Sequence, residues 1–189
     1  MKKLLLISLI LGIAACEPLK DGYGLDNPEQ YSRIYLAAAY NGVQELNLEA
    51  PEPAQVKIFA NYSGVVSLGE SVSVTLGADI SQVSEYNQRN GTHFQPMAQA
   101  CYSLEKDSSL IPAGHTTATE PAVLDIITQA FADEATYLLP VRILSVSQPS
   151  LAVNSALETL YIAVTCSAGI LYITSNPLTD YTLSDIENW

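Results

Sequence analysis

The chain has 189 residues, 48% of them hydrophobic, with eight basic residues against twenty acidic ones and a formal net charge of −12. That balance excludes a nucleic-acid binder, because phosphate recognition needs a cationic footprint. It suits a solvated acidic surface, with recruitment of calcium by an acidic face as the alternative, and the length suits one domain with short extensions.

Met1-Lys2-Lys3 followed by the apolar run from Leu4 to Ala15 predicts a secretory signal, since the run is too short to cross a bilayer as a helix. Ile13-Ala14-Ala15-Cys16 resembles a bacterial lipobox, in which Cys16 is lipidated and becomes the first mature residue. Two or more acyl chains, at about 0.8 kcal/mol per buried methylene, anchor stably where one does not. Removing residues 1–15, which include two lysines, leaves 174 residues with a formal charge of −14. Residues 16–30, with Pro18, Gly22, Gly24, Asn27 and Pro28, read as a flexible tether; Asp21 and Asp26 lack the alternation of an EF-hand loop.

A domain is expected over 31–167. Tyr31 to Ala38 alternates and predicts the first strand, with Ile34, Leu36 and Ala38 on one face. After the break Glu49-Ala-Pro-Glu-Pro53, Val56, Ile58, Ala60 and Tyr62 form the inner side of a second strand. Val72, Val74 and Leu76 predict a half-buried third strand. Asp79 and Gln82 then have capping-box spacing, Ile80, Val83 and Tyr86 share a helical face, and Asn90-Gly91 supplies a left-handed stop. Thr92 to Leu104 reads as extended, and Ile111-Pro-Ala-Gly114 as a tight turn. Ala122 to Thr128 reads as a strand buried on both sides, and Phe131 to Thr136 as a polar excursion or a single helical turn. Tyr137 to Val146 places Leu139, Val141 and Ile143 on one face and Arg142 on the other, with Pro140 favouring an edge or bulge. Leu160, Ile162 and Val164, opposite Tyr161 and Thr165, close the domain; residues 168–189 read as an added strand or tail. The sum is an all-β, immunoglobulin-like sandwich of about seven strands with one short inserted helix.

Ser-Glu-Tyr-Asn-Gln-Arg-Asn-Gly-Thr (84–92), Cys-Tyr-Ser-Leu (101–104), Ile-Pro-Ala-Gly (111–114) and Tyr-Leu-Leu-Pro-Val-Arg-Ile (137–143) occur in an order and spacing that resemble the DUF1735 domain, also called the BT_3987-like N-terminal domain, of Bacteroidetes lipoproteins. The resemblance extends back to Arg-Ile-Tyr-Leu (33–36) and on to Leu-Tyr-Ile-Ala-Val (160–164). It implies an immunoglobulin-like sandwich on an outer-membrane lipoprotein, at the cell surface or the periplasmic face, encoded with polysaccharide-utilisation systems. It implies no agreed set of binding residues. Relatives often continue past this point into a second sandwich domain.

The residues that could carry chemistry are few. His93 and His115 each lie beside a turn with no partner at metal or nucleophile spacing, and no catalytic motif is present, so no catalytic or metal residue is assigned. Cys166 is in phase with the inward residues of its strand; a disulfide with Cys101 would close a loop of about 65 residues, while burial as small hydrophobes is the alternative. Eleven tyrosines and one tryptophan, against three phenylalanines, offer flat faces with a polar edge. Tyr23, Tyr31, Tyr40, Tyr172, Tyr181 and Trp189, near loops or ends, are the candidate sugar-binding residues. Two readings stand side by side: a non-catalytic lipoprotein, tethered through Cys16, that binds or handles glycans without a cofactor; or a spacer or docking subunit that holds a partner envelope protein and binds no sugar.

Overall fold

The computed structural model describes residues 28–132 and 135–167. The signal, Cys16, most of the tether, Tyr23, Tyr172, Tyr181, Trp189 and the whole of 168–189 lie outside the described residues. Among the described residues there are twelve strands and one α-helix: β1 Arg33–Leu36, β2 Val43–Glu49, β3 Ala54–Ile58, β4 Ala60–Ser63, β5 Val72–Ala78, α1 Gln82–Asn90, β6 Gln95–Pro96, β7 Tyr102–Lys106, β8 Ser108–Ile111, β9 Ala122–Ile126, β10 Thr136–Val146, β11 Ala152–Val153 and β12 Thr159–Ser167.

One layer is a six-stranded sheet in the order β2-β12-β10-β5-β8, with β6 also paired to β10. The other layer consists of two three-stranded sheets, β11-β1-β4 and β3-β9-β7. Inward residues of all three sheets meet in one core: Ile34 and Leu36 from the first small sheet, Val56, Ile58, Leu124 and Ile126 from the second, and Val72, Val74, Leu76, Leu139, Val141, Leu160, Ile162 and Val164 from the large one. The molecule is therefore the all-β sandwich with one helix that the sequence predicts, with more and shorter strands than the seven or so expected.

The single strand expected around Val56 to Tyr62 is two strands in different sheets. Inward alternation continues unbroken through Val56, Ile58, Ala60 and Tyr62, all buried, while the outward Phe59 lies at the crossing and is exposed. A strand that changes sheet at a corner keeps its period of two, so periodicity alone does not reveal the switch. The first strand stops at Leu36 because Ala37–Asn41 winds into a 3-10 turn, which leaves Ala38 outside the strand.

β2 was not expected at all. It lies at the edge of the large sheet, parallel to β12, with Leu46 and Leu48 against the core and Glu45, Asn47 and Glu49 exposed. β9 alternates between buried and half-buried residues rather than being buried on both sides, and Ile127 beyond it is exposed.

β10 is the central strand. It holds β12 along one edge, while the other edge is shared in turn by β6, at Tyr137 and Leu138, and β5, from Val141 onward. Pro140 is thus not on an edge strand. Its carbonyl accepts from the Asp79 N–H at 2.9 Å, and since a strand residue's N–H and C=O point to the same side, the missing N–H falls in the gap between β6 and β5. The bulge lies four residues later, where the register with β5 shifts between Ile143 and Ser145. Leu144, at the bulge, is exposed and covers Gly77, where an added Cβ would come within 3.0 Å of Leu144 Cγ.

α1 covers the outer face of the large sheet. Val83 packs with Leu138 of β10 and Ala163 of β12 in a small second core, flanked by Tyr86, Phe94 and Tyr161. β10 and β12 are accordingly buried on both faces here, which is why Leu138 is as fully buried as Leu139. Ile80, expected on the packed face, is exposed because the helix begins only at Gln82. The helix ends as expected, on Gly91 in the left-handed region at φ 66°.

Candidate functional site: a polar cleft beside the helix

The first turn of α1 is tied to the sheet through side chains. Asp79, just past β5, accepts from Ser81 Oγ at 2.5 Å and from Gln82 Nε2 at 2.9 Å. Gln82 is therefore held by its side chain rather than closing a backbone capping box. Its Oε1 in turn accepts from the Tyr161 hydroxyl of β12 at 3.1 Å. The hydrogen bonds from Ser81 and Gln82, opposed by burial and assisted by Arg142, hold the Asp79 carboxyl below its ordinary value of 3.8.

From this anchor a cleft of about 460 Å³ opens between α1, the outer face of β10 and the loop before β12, within the range of small-molecule sites. The Tyr86 and Tyr161 rings form an aromatic wall, with centroids 4.5 Å apart and planes tilted by 41°. Arg89, which also lines the cleft, lies over the Tyr86 ring, 5.9 Å from its centroid, in cation–π range. Burial raises the Tyr86 hydroxyl above its ordinary pKa, so it is neutral at physiological pH.

Arg142 is the polar centre. Its two terminal nitrogens reach Asp79 Oδ2 and Glu158 Oε1, each at 3.5 Å. Its Nε is buried and has no hydrogen-bond partner among the described residues. The ladder explains the convergence: Arg142 is opposite Gly77 of β5 on one side and Thr159 of β12 on the other, so the residues just beyond both strands, Asp79 and Glu158, fall on either side of it. Glu158 is fixed by its own backbone, whose carbonyl accepts from the Ile143 N–H at 2.9 Å.

Of the sequence-derived aromatic candidates, only Tyr31 and Tyr40 are among the described residues, and neither lines this cleft. Tyr31 and Tyr40 are exposed, at 50% and 81%, and lie in the separate 3-10 turns that precede and follow β1. Tyr86 and Tyr161 were assigned by periodicity to a helix face and a strand's outer face, and only the packing of α1 on β10 and β12 brings them together. His93 and His115 are exposed and outside the cleft. Among the described residues no group of three or more His, Cys, Asp or Glu side chains could hold a metal ion.

The disulfide expected as one reading of Cys101 and Cys166 is absent: both are buried free thiols. Cys101 Sγ donates to the Ala130 carbonyl at 3.3 Å and Cys166 Sγ to that of Thr128 at 3.6 Å, so each is satisfied by the same 3-10 turn. Burial raises both thiols, which behave as small core residues.

A family model for the BT_3987-like N-terminal domain, the DUF1735 domain, matches residues 27–150. The chain belongs to the DUF1735 family. The solved structures similar to this DUF1735 chain include a candidate carbohydrate-binding protein from Bacteroides ovatus, at 20% identity and a TM-score of 0.56 over 70% of this chain and 36% of that one. A two-domain protein of unknown function from Bacteroides fragilis matches at 11% identity and a TM-score of 0.56, over 72% of this chain and 46% of that one. A multidomain protein including DUF1735 from Bacteroides ovatus matches at 16% and 0.53, over 73% and 46%. At these identities the likeness shows the fold, and the chain spans between about a third and a half of the solved chains it matches. No curated protein matches the sequence.

Proposed function

We propose that this DUF1735 chain is a non-catalytic, glycan-binding module of an outer-membrane lipoprotein, tethered through Cys16 and serving polysaccharide utilisation. The cleft beside α1 carries the reading. A sugar ring presents hydroxyls that both donate and accept together with faces of C–H groups. The cleft offers carboxylate acceptors on Asp79 and Glu158, donors on Arg142, and the tyrosine pair as an apolar wall. The fold shared with a candidate carbohydrate-binding protein supports the same reading.

The chemistry of the carboxylates argues against hydrolysis. A glycosidase needs one carboxyl whose pKa is raised so that it can protonate the leaving oxygen. Asp79 is shifted the other way, held in its ionised form by hydrogen bonds from Ser81 and Gln82 with help from Arg142.

The test is a titration of the purified protein against a glycan panel, with unfolding curves to confirm that each variant is folded. Tyr86→Ala and Arg142→Gln are expected to weaken binding at least about tenfold, the loss of one stacking face or one charged donor. A clean negative across the panel with folded protein would overturn the proposal and leave the spacer or docking role.

A further inference from the structure

We infer that the cleft selects neutral sugars over anionic ones, an inference that rests on the glycan-binding reading above. Three carboxylates, Asp79, Glu85 and Glu158, line it against two guanidiniums, Arg89 and Arg142, so the lining carries a net negative charge within a chain whose formal charge is −12. The cation best placed to receive a sugar carboxylate or sulfate is Arg142. It is already flanked by Asp79 and Glu158, and an anion approaching it meets both like charges at close range. Arg89 is committed to the Tyr86 ring on the helix surface and shares that turn of α1 with Glu85.

A neutral hydroxyl meets the opposite situation. Both contacts of Arg142 are 3.5 Å long, beyond the 2.7–3.2 Å or so of a well-formed N–H···O bond, so neither ion pair is closed. A hydroxyl between guanidinium and carboxylate accepts from one and donates to the other, and so completes both. Vicinal hydroxyls of a neutral ring could do so on the Asp79 side and the Glu158 side together.

The experiment is isothermal titration of the full chain with neutral manno- and xylo-oligosaccharides and with acidic oligogalacturonate and chondroitin sulfate fragments, at low and high salt. Binding of a neutral probe with little salt dependence, and none of the acidic probes, is the expected result. Glu158→Gln keeps the shape and removes one negative charge; it is expected to narrow the selectivity, raising affinity for the acidic probes by about tenfold relative to the neutral ones. Salt-sensitive binding of an acidic probe, tighter than any neutral one, would overturn the selectivity and leave glycan binding standing. Absence of binding to every probe by folded protein would overturn both.

Discussion

Replacing Gly64 by alanine tests how tightly the small sheet around β4 is closed. A Cβ built at Gly64 collides with the Tyr62 hydroxyl and comes within 2.6 Å of both Tyr62 Cζ and Ser32 Oγ, closer than real Cβ atoms come to any neighbour. Tyr62 borders a small pocket of about 130 Å³, but its ring is tied in place. It is 5% exposed, and its hydroxyl donates to the Val66 carbonyl and shares a hydrogen bond with Ser32 Oγ at 2.9 Å. Moving the ring gives up one or two hydrogen bonds worth about 1 kcal/mol each, and overpacking adds about 1–3 kcal/mol. The reduced entropy of the unfolded chain returns about 0.4–1 kcal/mol. The net loss is about 2–4 kcal/mol, which lowers the Tm of a domain this size by about 5–15 °C. Gly69→Ala is the control, because its Cβ meets nothing within 4 Å. Thermal unfolding by circular dichroism reads both. In a Tyr62→Phe background the cost of Gly64→Ala falls by about 1–2 kcal/mol, since the nearest obstacle is the hydroxyl itself. Identical unfolding temperatures for Gly64→Ala and Gly69→Ala would refute the packing argument.

The remaining predictions concern the helix and the thiols. Leu138→Ala, at a fully buried position under α1, is expected to cost about 2–5 kcal/mol in urea unfolding and to weaken any ligand of the cleft, because the helix loses its seat. Asp79 has a lowered pKa in the folded state, so its contribution to stability is complete above its ordinary value of 3.8 and is lost as pH falls through the folded value. The stability difference between wild type and Asp79→Asn should therefore be constant near neutrality and shrink below about pH 4; a difference that grew on acidification would contradict it. Cys101 and Cys166 should resist alkylation in the native protein and both take up label on denaturation without reductant, measured by mass spectrometry; a pair that labels only after reduction would show a disulfide.

Much of the sandwich is legible in the sequence because a strand with one buried face writes its own period. Val72, Val74 and Leu76, then Leu160, Ile162 and Val164, are buried as their alternation requires. Backbone punctuation is equally plain: Gly91 and Gly114 both adopt positive φ where a helix and a tight turn end. β2 was missed although Leu46 and Leu48 alternate with polar residues, because an edge strand half covered by its neighbours needs too little apolar surface to stand out. The cleft was illegible for a different reason. Asp79, Gln82, Tyr86, Arg142 and Tyr161 each had a sufficient local explanation as cap, helix face or outward strand position. Which of them meet is decided by strand order, β5-β10-β12, and by a helix folded back across it, and neither is written in local periodicity. Exposed tyrosines near loops are conspicuous in a sequence, whereas tyrosines that share a wall are conspicuous only in space.

The place of β12 has consequences for how the domain is assembled. It lies between β2 and β10, pairing with β2 from Tyr161↔Val43 to Ser167↔Glu49, so the earliest strand of the large sheet has no partner until the last described strand has been made. Residues 43–49 must wait through more than a hundred residues of chain, a long loop to close and a source of slow folding. β12 also lies beyond residue 150, where the family match ends. A fragment cut at that boundary would keep the motifs between residues 84 and 143 and lose Leu160, Ile162 and Val164 from the core. It would present two raw edges, on β2 and β10, to any neighbouring chain.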